Sequence, residues 1–335
     1  MIRSVSRWWL GAAVLLCSSG AFASWMQYSL PNLTYSYGGT ALGHLPDGRY
    51  VFGECGNLYL QDAWNSSFYT PFSTEPSFID PSFIAIWDGT FGVIGAGGAG
   101  YSELYAFNPG NTASLFSNVG TNYNFQGALL DAGSIFVNGA SWTQPTNTIY
   151  YMTLDGATNK LVLDGVSLYS AGMTLDGSGN LYVADNDDGS VYKFTPLQLD
   201  AAITGAPLTL ASGQFVHDFG DGGNVGSIAV DGLGRIWTAG WNQEGLKVYN
   251  PSLDQEFSYT PALANANYKV ATFSSGGTNY VAYLNQADPG HSGTAQTYGF
   301  DLADLYAIPE PGTLALMGLA GLIVGIRTWL QNRNS

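Results

Sequence analysis

Three histidines, two short acidic runs and a handful of tryptophans are the residues with chemistry to offer. His44, His217 and His291 lie in separate segments, so only a fold that joins distant segments can bring them together. A proton-abstraction site needs one of them as general base beside a carboxylate. Oxygen ligands for a metal could come from Glu54, Asn186 and Asp185, but no motif groups them. The densest acidic run, Asp185-Asn186-Asp187-Asp188-Gly189, offers Asp185, Asp187 and Asp188 as oxygen ligands for Ca²⁺. Its glycine stands fifth, where an EF-hand loop places it sixth, and Asp, Asn and Gly are equally the residues of a solvated hairpin turn. The turn is the simpler reading. Asp218 and Asp221, set among Gly220, Gly222 and Gly223, repeat that choice more weakly. No Gly-x-Ser-x-Gly fits a strand-to-helix turn, and there is no phosphate loop and no Cys–His metal spacing. The residues therefore assign no catalytic group. Aromatic faces stack on sugars, and Trp64, Trp142 and Trp241, near loop positions, are the candidate glycan contacts. Tyr182 and Tyr192 sit at alternating strand positions and read as packing.

These residues are carried on a repeat. Six segments share an apolar strand, a turn, a second apolar strand, a short loop and a third strand bearing an aromatic. The turns fall at Asp47-Gly48, Asp88-Gly89, Ala132-Gly133, Asp176-Gly177, Asp231-Gly232 and Gly276-Gly277. Their glycines are 41, 44, 44, 55 and 44 residues apart, a period that marks propeller blades. Strands such as Leu181-Tyr182-Val183 and Ile236-Trp237-Thr238 are enriched in β-branched and aromatic residues. The turn glycines are expected to supply positive φ. Aligning those glycines sets His44 level with Met173 and Ile228, on the innermost strand. No soluble amphipathic helix is evident; Leu197 to Ile203 makes one turn at most, within the insertion before the fifth turn. The fold expected is all-β: a six-bladed β-propeller over residues 24–307, with Trp25 to Ser36 adding the outer strand that closes the last blade. A seven-bladed ring is the alternative, if Gln198 to Phe219 hides a degenerate blade.

The fourth segment, Gly172-Met173-Thr174-Leu175-Asp176-Gly177-Ser178-Gly179-Asn180-Leu181-Tyr182-Val183-Ala184-Asp185-Asn186, resembles the NHL-type repeat. That repeat also occurs in propellers of the gluconolactonase and streptogramin-lyase kind. Gly226 to Gly240 is a looser copy, and the other segments match in grammar only. The resemblance implies the fold and leaves function open, since one fold hosts many chemistries.

The two ends read as addresses. Arg3 and Arg7, the apolar stretch Trp8 to Leu16 and Ala21-Phe22-Ala23 form a signal peptide over residues 1–23, cut by signal peptidase after Ala23. At the other end, Pro309 and Pro311 hold Ile308-Pro309-Glu310-Pro311-Gly312-Thr313 extended. The uncharged run Leu314 to Ile326 follows, then Arg327 and Arg333. The run is short for a bilayer, and Thr313, Thr328, Trp329 and Leu330 bring it near the minimum of a transmembrane helix. Arg327 suits the cytoplasmic face. Residues 308–335 resemble the PEP-CTERM sorting signal of exosortase substrates, with the basic cluster diluted to two arginines. The resemblance implies processing near Pro309, Glu310 and Pro311 by an exosortase-type membrane protease. It also implies transient anchoring in the inner membrane, then a cell-surface or extracellular place in an exopolysaccharide-bearing biofilm matrix. An ordinary permanent C-terminal anchor is the plainer alternative.

Between the addresses lie six cations and 24 acids, a formal charge of −18 against −15 for the whole chain. Such a surface repels nucleic acid and anionic lipid and attracts Ca²⁺ or a cationic partner, although acidity also serves plain solubility. Cys17 leaves with the signal peptide, so Cys55 stands alone and reads as a small buried side chain; a cross-link between two chains is the other use of an odd cysteine. Three functions stay open: a non-enzymatic envelope or matrix protein associated with exopolysaccharide, a secreted hydrolase or lyase working in the propeller channel, and an acidic docking platform for another protein.

Overall fold

The computed structural model describes 41–45, 47–54, 57–62, 69–73, 81–88, 92–96, 103–107, 114–118, 123–140, 147–166, 172–185, 188–220, 225–240, 246–259, 267–275, 278–286 and 298–304, together with 26–29. By contacts the chain forms two units, Met26–Leu302 and a unit of both termini. Of the latter only Ala303 and Asp304 are described. The expected signal peptide, the residues from Ile308 onward, Cys55 and His291 lie outside the described residues.

The first strand is β1 (Met26–Ser29). Next come β2 (Ala41–His44), β3 (Tyr50–Glu54), β4 (Asn57–Gln61) and β5 (Tyr69–Ser73), which form one sheet in that order. A second sheet holds β6 (Pro81–Ile86), β7 (Gly92–Ala96), β8 (Glu103–Phe107) and β9 (Ser114–Asn118). A third holds β10 (Tyr123–Asp131), β11 (Ser134–Ala140), β12 (Asn147–Thr153) and β13 (Asn159–Val166). The fourth starts with β14 (Met173–Leu175), β15 (Leu181–Ala184) and β16 (Ser190–Phe194). Then come the helix α1 (Pro196–Thr204), β17 (Leu208–Thr209), which joins the third sheet in parallel, and β18 (Gln214–Asp218), which completes the fourth. The fifth sheet is β19 (Ser227–Val230), β20 (Ile236–Ala239), β21 (Leu246–Asn250) and β22 (Gln255–Tyr259). The last sheet is β23 (Asn267–Ser275), β24 (Thr278–Gln286), β25 (Tyr298–Asp304) and, on its outer edge, β1. The chain is a β-propeller, and β1 closes it by pairing Met26 with Leu302 and Ser29 with Gly299.

The insertion of the fourth segment is not a further blade. Gln198 to Phe219 supplies a helix, a short added strand and the outer strand of the fourth sheet. The helix runs nine residues, longer than the single turn expected, because its start is capped. Thr195 Oγ1 accepts from the Gln198 amide at 3.4 Å, while Gln198 Oε1 accepts from the Thr195 amide at 2.9 Å. Pro196 sits where its missing N–H costs nothing. Leu199 and Ala202 are buried among Val162, Leu163 and Phe194, which anchors a helix whose Leu197 stays outside.

Apolar packing lies between consecutive sheets. Val51, Leu58, Ile84 and Tyr105 join the first to the second. Phe83, Val93, Ile135 and Met152 join the second to the third. Phe136, Ile149, Val183 and Phe194 join the third to the fourth. Tyr182, Val191, Ile228 and Tyr249 join the fourth to the fifth. Each such side chain contributes about 1.5–3 kcal/mol. Tyr182 is thus packing, as its strand position implies, with Tyr192 partly buried beside the third-to-fourth cluster.

Two hairpins show how the repeat makes its turn. Asp176 Oδ1 accepts from the amides of Ser178 and Asn180, both at 2.9 Å, and the Asn180 amide group and Tyr182 hydroxyl reach Oδ2 at 2.8 and 3.3 Å. Asp231 Oδ1 takes the amides of Leu233 and Arg235 at 2.9 and 3.0 Å, and its Oδ2 takes Arg235 Nε and Trp237 Nε1, both at 2.8 Å. In both turns the left-handed residue is the second glycine, Gly179 (φ +76°) or Gly234 (φ +77°), and not Gly177 or Gly232 as expected. In the first sheet it is Gly48 (φ +87°). Leu45 N to Arg49 O, Asp176 N to Asn180 O and Asp231 N to Arg235 O are the same backbone bond in the three turns.

Candidate functional site

The inner strands β2, β6, β10, β14, β19 and β23 surround an axial channel of about 320 Å³. Leu42, Ile84, Met173, Ile228 and Val270 are among the lining residues, yet more of the surface facing the channel is polar than apolar. Besides Thr174 and Thr272, polar side chains enter at two places.

One is His44. The shared turn geometry sets it level with Leu175 and Val230, since His44 pairs with Tyr50 as Leu175 pairs with Leu181 and Val230 with Ile236. The expected alignment with Met173 and Ile228 is two residues off, because it matched Gly48 to the wrong glycine of each later turn. Its Nε2 lies 2.9 Å from the Thr272 carbonyl, which only accepts, so Nε2 carries the proton. Its Nδ1 is buried and has no hydrogen-bond partner among the described residues. The ring leans on Phe273 at 4.8 Å. Burial holds the imidazole below its usual pKa, against the upward pull of the Leu45 and Thr272 backbone. His44 is a neutral seam residue between the first and last sheets, with no carboxylate beside it among the described lining residues.

The other is an arc that sequence reasoning missed. Gln126, Ser227 and Lys269, from the third, fifth and last sheets, are all buried along the channel. Gln126 Nε2 donates to the Gly226 carbonyl at 2.8 Å, reaching from the third sheet to the edge of the fifth. Between them runs the fourth sheet, which at this level presents only Gly172. A Cβ on Gly172 would come within 2.9 Å of the Ser227 backbone, so the close approach of fourth and fifth sheets needs glycine there. Ser227 Oγ in turn accepts from the Val270 amide at 3.2 Å, next to Lys269. The signal available in the sequence was a polar residue at the start of three otherwise apolar inner strands.

The remaining candidates fall elsewhere. His217 does meet a carboxylate, Glu256 Oε2 at 2.7 Å, and stacks on Tyr249 at 3.9 Å. This pair sits on the outermost strands β18 and β22, not at the channel, and Lys247 Nζ shares Glu256 at 3.8 Å. Asp185 and Asp188 lie in the β15–β16 hairpin: the Gly189 amide donates to the Asp185 carbonyl at 2.9 Å, and the Ser190 amide to Asp188 Oδ1 at 2.8 Å. With Gly189 at φ +83°, this is the turn geometry that the residue types allow. Asn186 and Asp187 are outside the described residues, as are Trp64, Trp142, Trp241 and Asp221. Asp218 Oδ1 caps the Gly220 amide at 2.7 Å in a second tight turn. Glu54 ends β3. Among the described residues no three His, Cys, Asp or Glu side chains gather as metal ligands, and no helix is long and apolar enough to cross a membrane.

Solved propellers are similar in fold. Regucalcin from Agrobacterium tumefaciens strain C58, described as a calcium-binding protein, superposes with TM-score 0.60 at 13% identity over 83% of this chain and 94% of its own. A luciferin-regenerating enzyme gives TM-score 0.60 at 12% identity over 84% and 96%. Virginiamycin B lyase from Staphylococcus aureus gives 0.56 at 11% identity over 84% and 99%. At such identities the likeness is one of fold. No protein-family model matches the chain, and no curated protein matches its sequence.

Proposed function

We propose that the chain is an exported, six-bladed β-propeller of the bacterial envelope, sorted by its C-terminal tail and serving a non-catalytic role in an exopolysaccharide-bearing matrix. One observation carries this reading. The strands β1 and β25 that pair to close the ring begin three residues after Ala23 and end four before Ile308. The described strands of the ring therefore span nearly all the chain between the two sequence signals. Signal peptidase would act after Ala23 and an exosortase-type protease near Pro309-Glu310-Pro311, releasing the propeller from its inner-membrane anchor to the surface or medium. The exopolysaccharide association follows from the sorting-signal resemblance alone. Ca²⁺ is the ion such an acidic body attracts, with Asp185, Asp187 and Asp188 its candidate ligands.

A second reading, a hydrolase or lyase working in the channel, draws on the enzymes among the similar propellers and on His44 at the channel wall. The experiment is the intact mass of the protein recovered from native cells and medium. A mass starting at Ser24 and ending between Pro309 and Gly312 is expected. A mass that retains Leu314 to Ser335 overturns the sorting reading and leaves a permanently anchored propeller.

A further inference from the structure

The chain holds eight Asp-Gly pairs, and both residues of six of them are described. In five of the six the carboxylate is tied to the amide two residues on. Asp47 Oδ1 accepts from Arg49 at 3.1 Å, Asp155 Oδ1 from Ala157 at 2.9 Å and Asp176 Oδ1 from Ser178 at 2.9 Å. Asp188 Oδ1 accepts from Ser190 at 2.8 Å, and Asp231 Oδ1 from Leu233 at 2.9 Å. Three of the glycine amides are occupied as well: Gly48 donates to the Leu45 carbonyl, Gly156 to that of Thr153 and Gly189 to that of Asp185. Asp164 differs from these. Its Oδ1 accepts from the amide of the very next residue, Gly165, at 2.8 Å. Both residues are exposed, and Gly165, at φ +77°, has open space where a Cβ would stand. Asn147 pairs with Val166 and Thr148 with Asp164, so the β12–β13 ladder skips Gly165, which is the bulged residue of β13.

We propose that the Asp164–Gly165 peptide is a site of spontaneous isoaspartate formation, the first of the described Asp-Gly pairs to react in the folded protein. The Gly165 nitrogen attacks Cγ of the protonated Asp164 carboxyl. A new N–Cγ bond forms, the nitrogen gives up its proton, and one carboxyl oxygen leaves as water, which yields a cyclic imide. Water then adds at the main-chain carbonyl carbon of Asp164 and breaks the bond from that carbon to the Gly165 nitrogen. The chain now runs through Cγ, the former main-chain carbonyl is a free carboxylate, and nothing has been oxidised or reduced. At Asp164 the nitrogen already lies against the carboxyl it attacks, and holding reacting groups in contact removes much of the barrier to such a step. In the other five pairs the carboxyl is held on a different amide. The product lengthens β13 by one main-chain carbon. Asp164 with Thr209 is one of the two pairs, beside Leu163 with Leu208, that hold β17 to β13. Isomerisation therefore loosens β17. This chemistry proceeds whether or not the tail is cut.

The test is prolonged incubation of the natively produced protein in mildly acid buffer, folded or unfolded in urea. Digestion follows with a protease that cuts before aspartate and not before isoaspartate, so that lost cleavage, read by peptide mass, measures isoaspartate at each site. In the folded protein the loss at Asp164 is expected to exceed that at Asp47, Asp155, Asp176, Asp188 and Asp231 by about tenfold or more. In urea, where only the shared Asp-Gly sequence acts, the sites should converge. Hydrogen exchange of the Leu208 and Thr209 amides should quicken as isoaspartate accumulates, and should hold its starting rate in Asp164→Glu, whose longer side chain keeps the charge and removes the site. Loss at Asp164 no greater than at the other five, an excess at Asp164 that persists in urea, or exchange that quickens equally in Asp164→Glu would each overturn the proposal.

Discussion

The fourth and fifth hairpins have one backbone and two chemistries. Asp176 and Asp231 each gather two turn amides and one partner from the strand that follows. Around Asp176 the partners are neutral, Asn180 and Tyr182. Around Asp231 they are Arg235 and Trp237, and the ion pair is sealed, with side-chain exposures of 0% for Asp231 and 6% for Arg235. The lesson is that the turn requires an acceptor with several lone pairs at this position and leaves the donors free to vary. It also explains part of the acidity of the chain: these two carboxylates are spent on architecture.

The sharpest way to break the comparison is to remove both acceptors. Asp231→Ala removes the carboxylate from a buried guanidinium and should destabilise by about 3–5 kcal/mol. Asp176→Ala, whose partners stay near water, should cost about 1–2 kcal/mol. Urea unfolding of the two variants measures the difference; equal losses would mean the ion pair adds nothing. Next in size, Gly179→Ala and Gly234→Ala should each cost about 1 kcal/mol, because both need positive φ and neither meets an obstructing atom. Equal costs in thermal unfolding would show the turns to be alike in backbone despite their different partners.

Acid sharpens the contrast further. The Asp176 carboxyl is held below its usual range: burial pushes it up, but the Asn180 side chain, the Asn180 and Ser178 amides and Lys193 together outweigh burial. A depressed carboxyl contributes stability above its unfolded pKa and loses it as pH falls through the folded value. Asp176→Asn should therefore flatten the acid limb of stability below about pH 4. Tyr182, pushed up to about 12 by burial first and then by the Asp176 charge and hydrogen bond, should titrate late in an ultraviolet pH scan. The smallest effect belongs to His44, level with Leu175 and Val230. Its folded pKa is lowered, so the unfolded chain takes the proton first, and its contribution is lost as pH falls below about 6.5. A stability profile of His44→Phe without that slope between neutral pH and about pH 5 would bear this out; an unchanged slope would refute it.

The propeller was legible because its strands repeat with turn residues at a steady interval. The closing strand was legible too, as an apolar, tyrosine-rich stretch left over before the first repeat. What misled was glycine abundance. Asp-Gly dipeptides such as Asp176-Gly177 stand at the turn, but the conformational demand falls two residues later, on Gly179, and that slip moved His44 along the channel. The helix over Pro196–Thr204 was underestimated because its strength lies in the Thr195–Gln198 cap and not in apolar spacing. The arc of Gln126, Ser227 and Lys269 was invisible for a different reason. Its members are 42 to 143 positions apart, and only the ring and the bare Cα of Gly172 set them side by side.

The pairing of β1 with β25 has a mechanical side. The two strands are antiparallel, with Met26 against Leu302 and Ser29 against Gly299. The start of one therefore lies beside the finish of the other. A load applied between the two chain ends meets this ladder at one edge and opens it one residue pair at a time, as a zip opens, instead of sliding all its bonds at once. The ladder is therefore weak to tension drawn through the two chain ends.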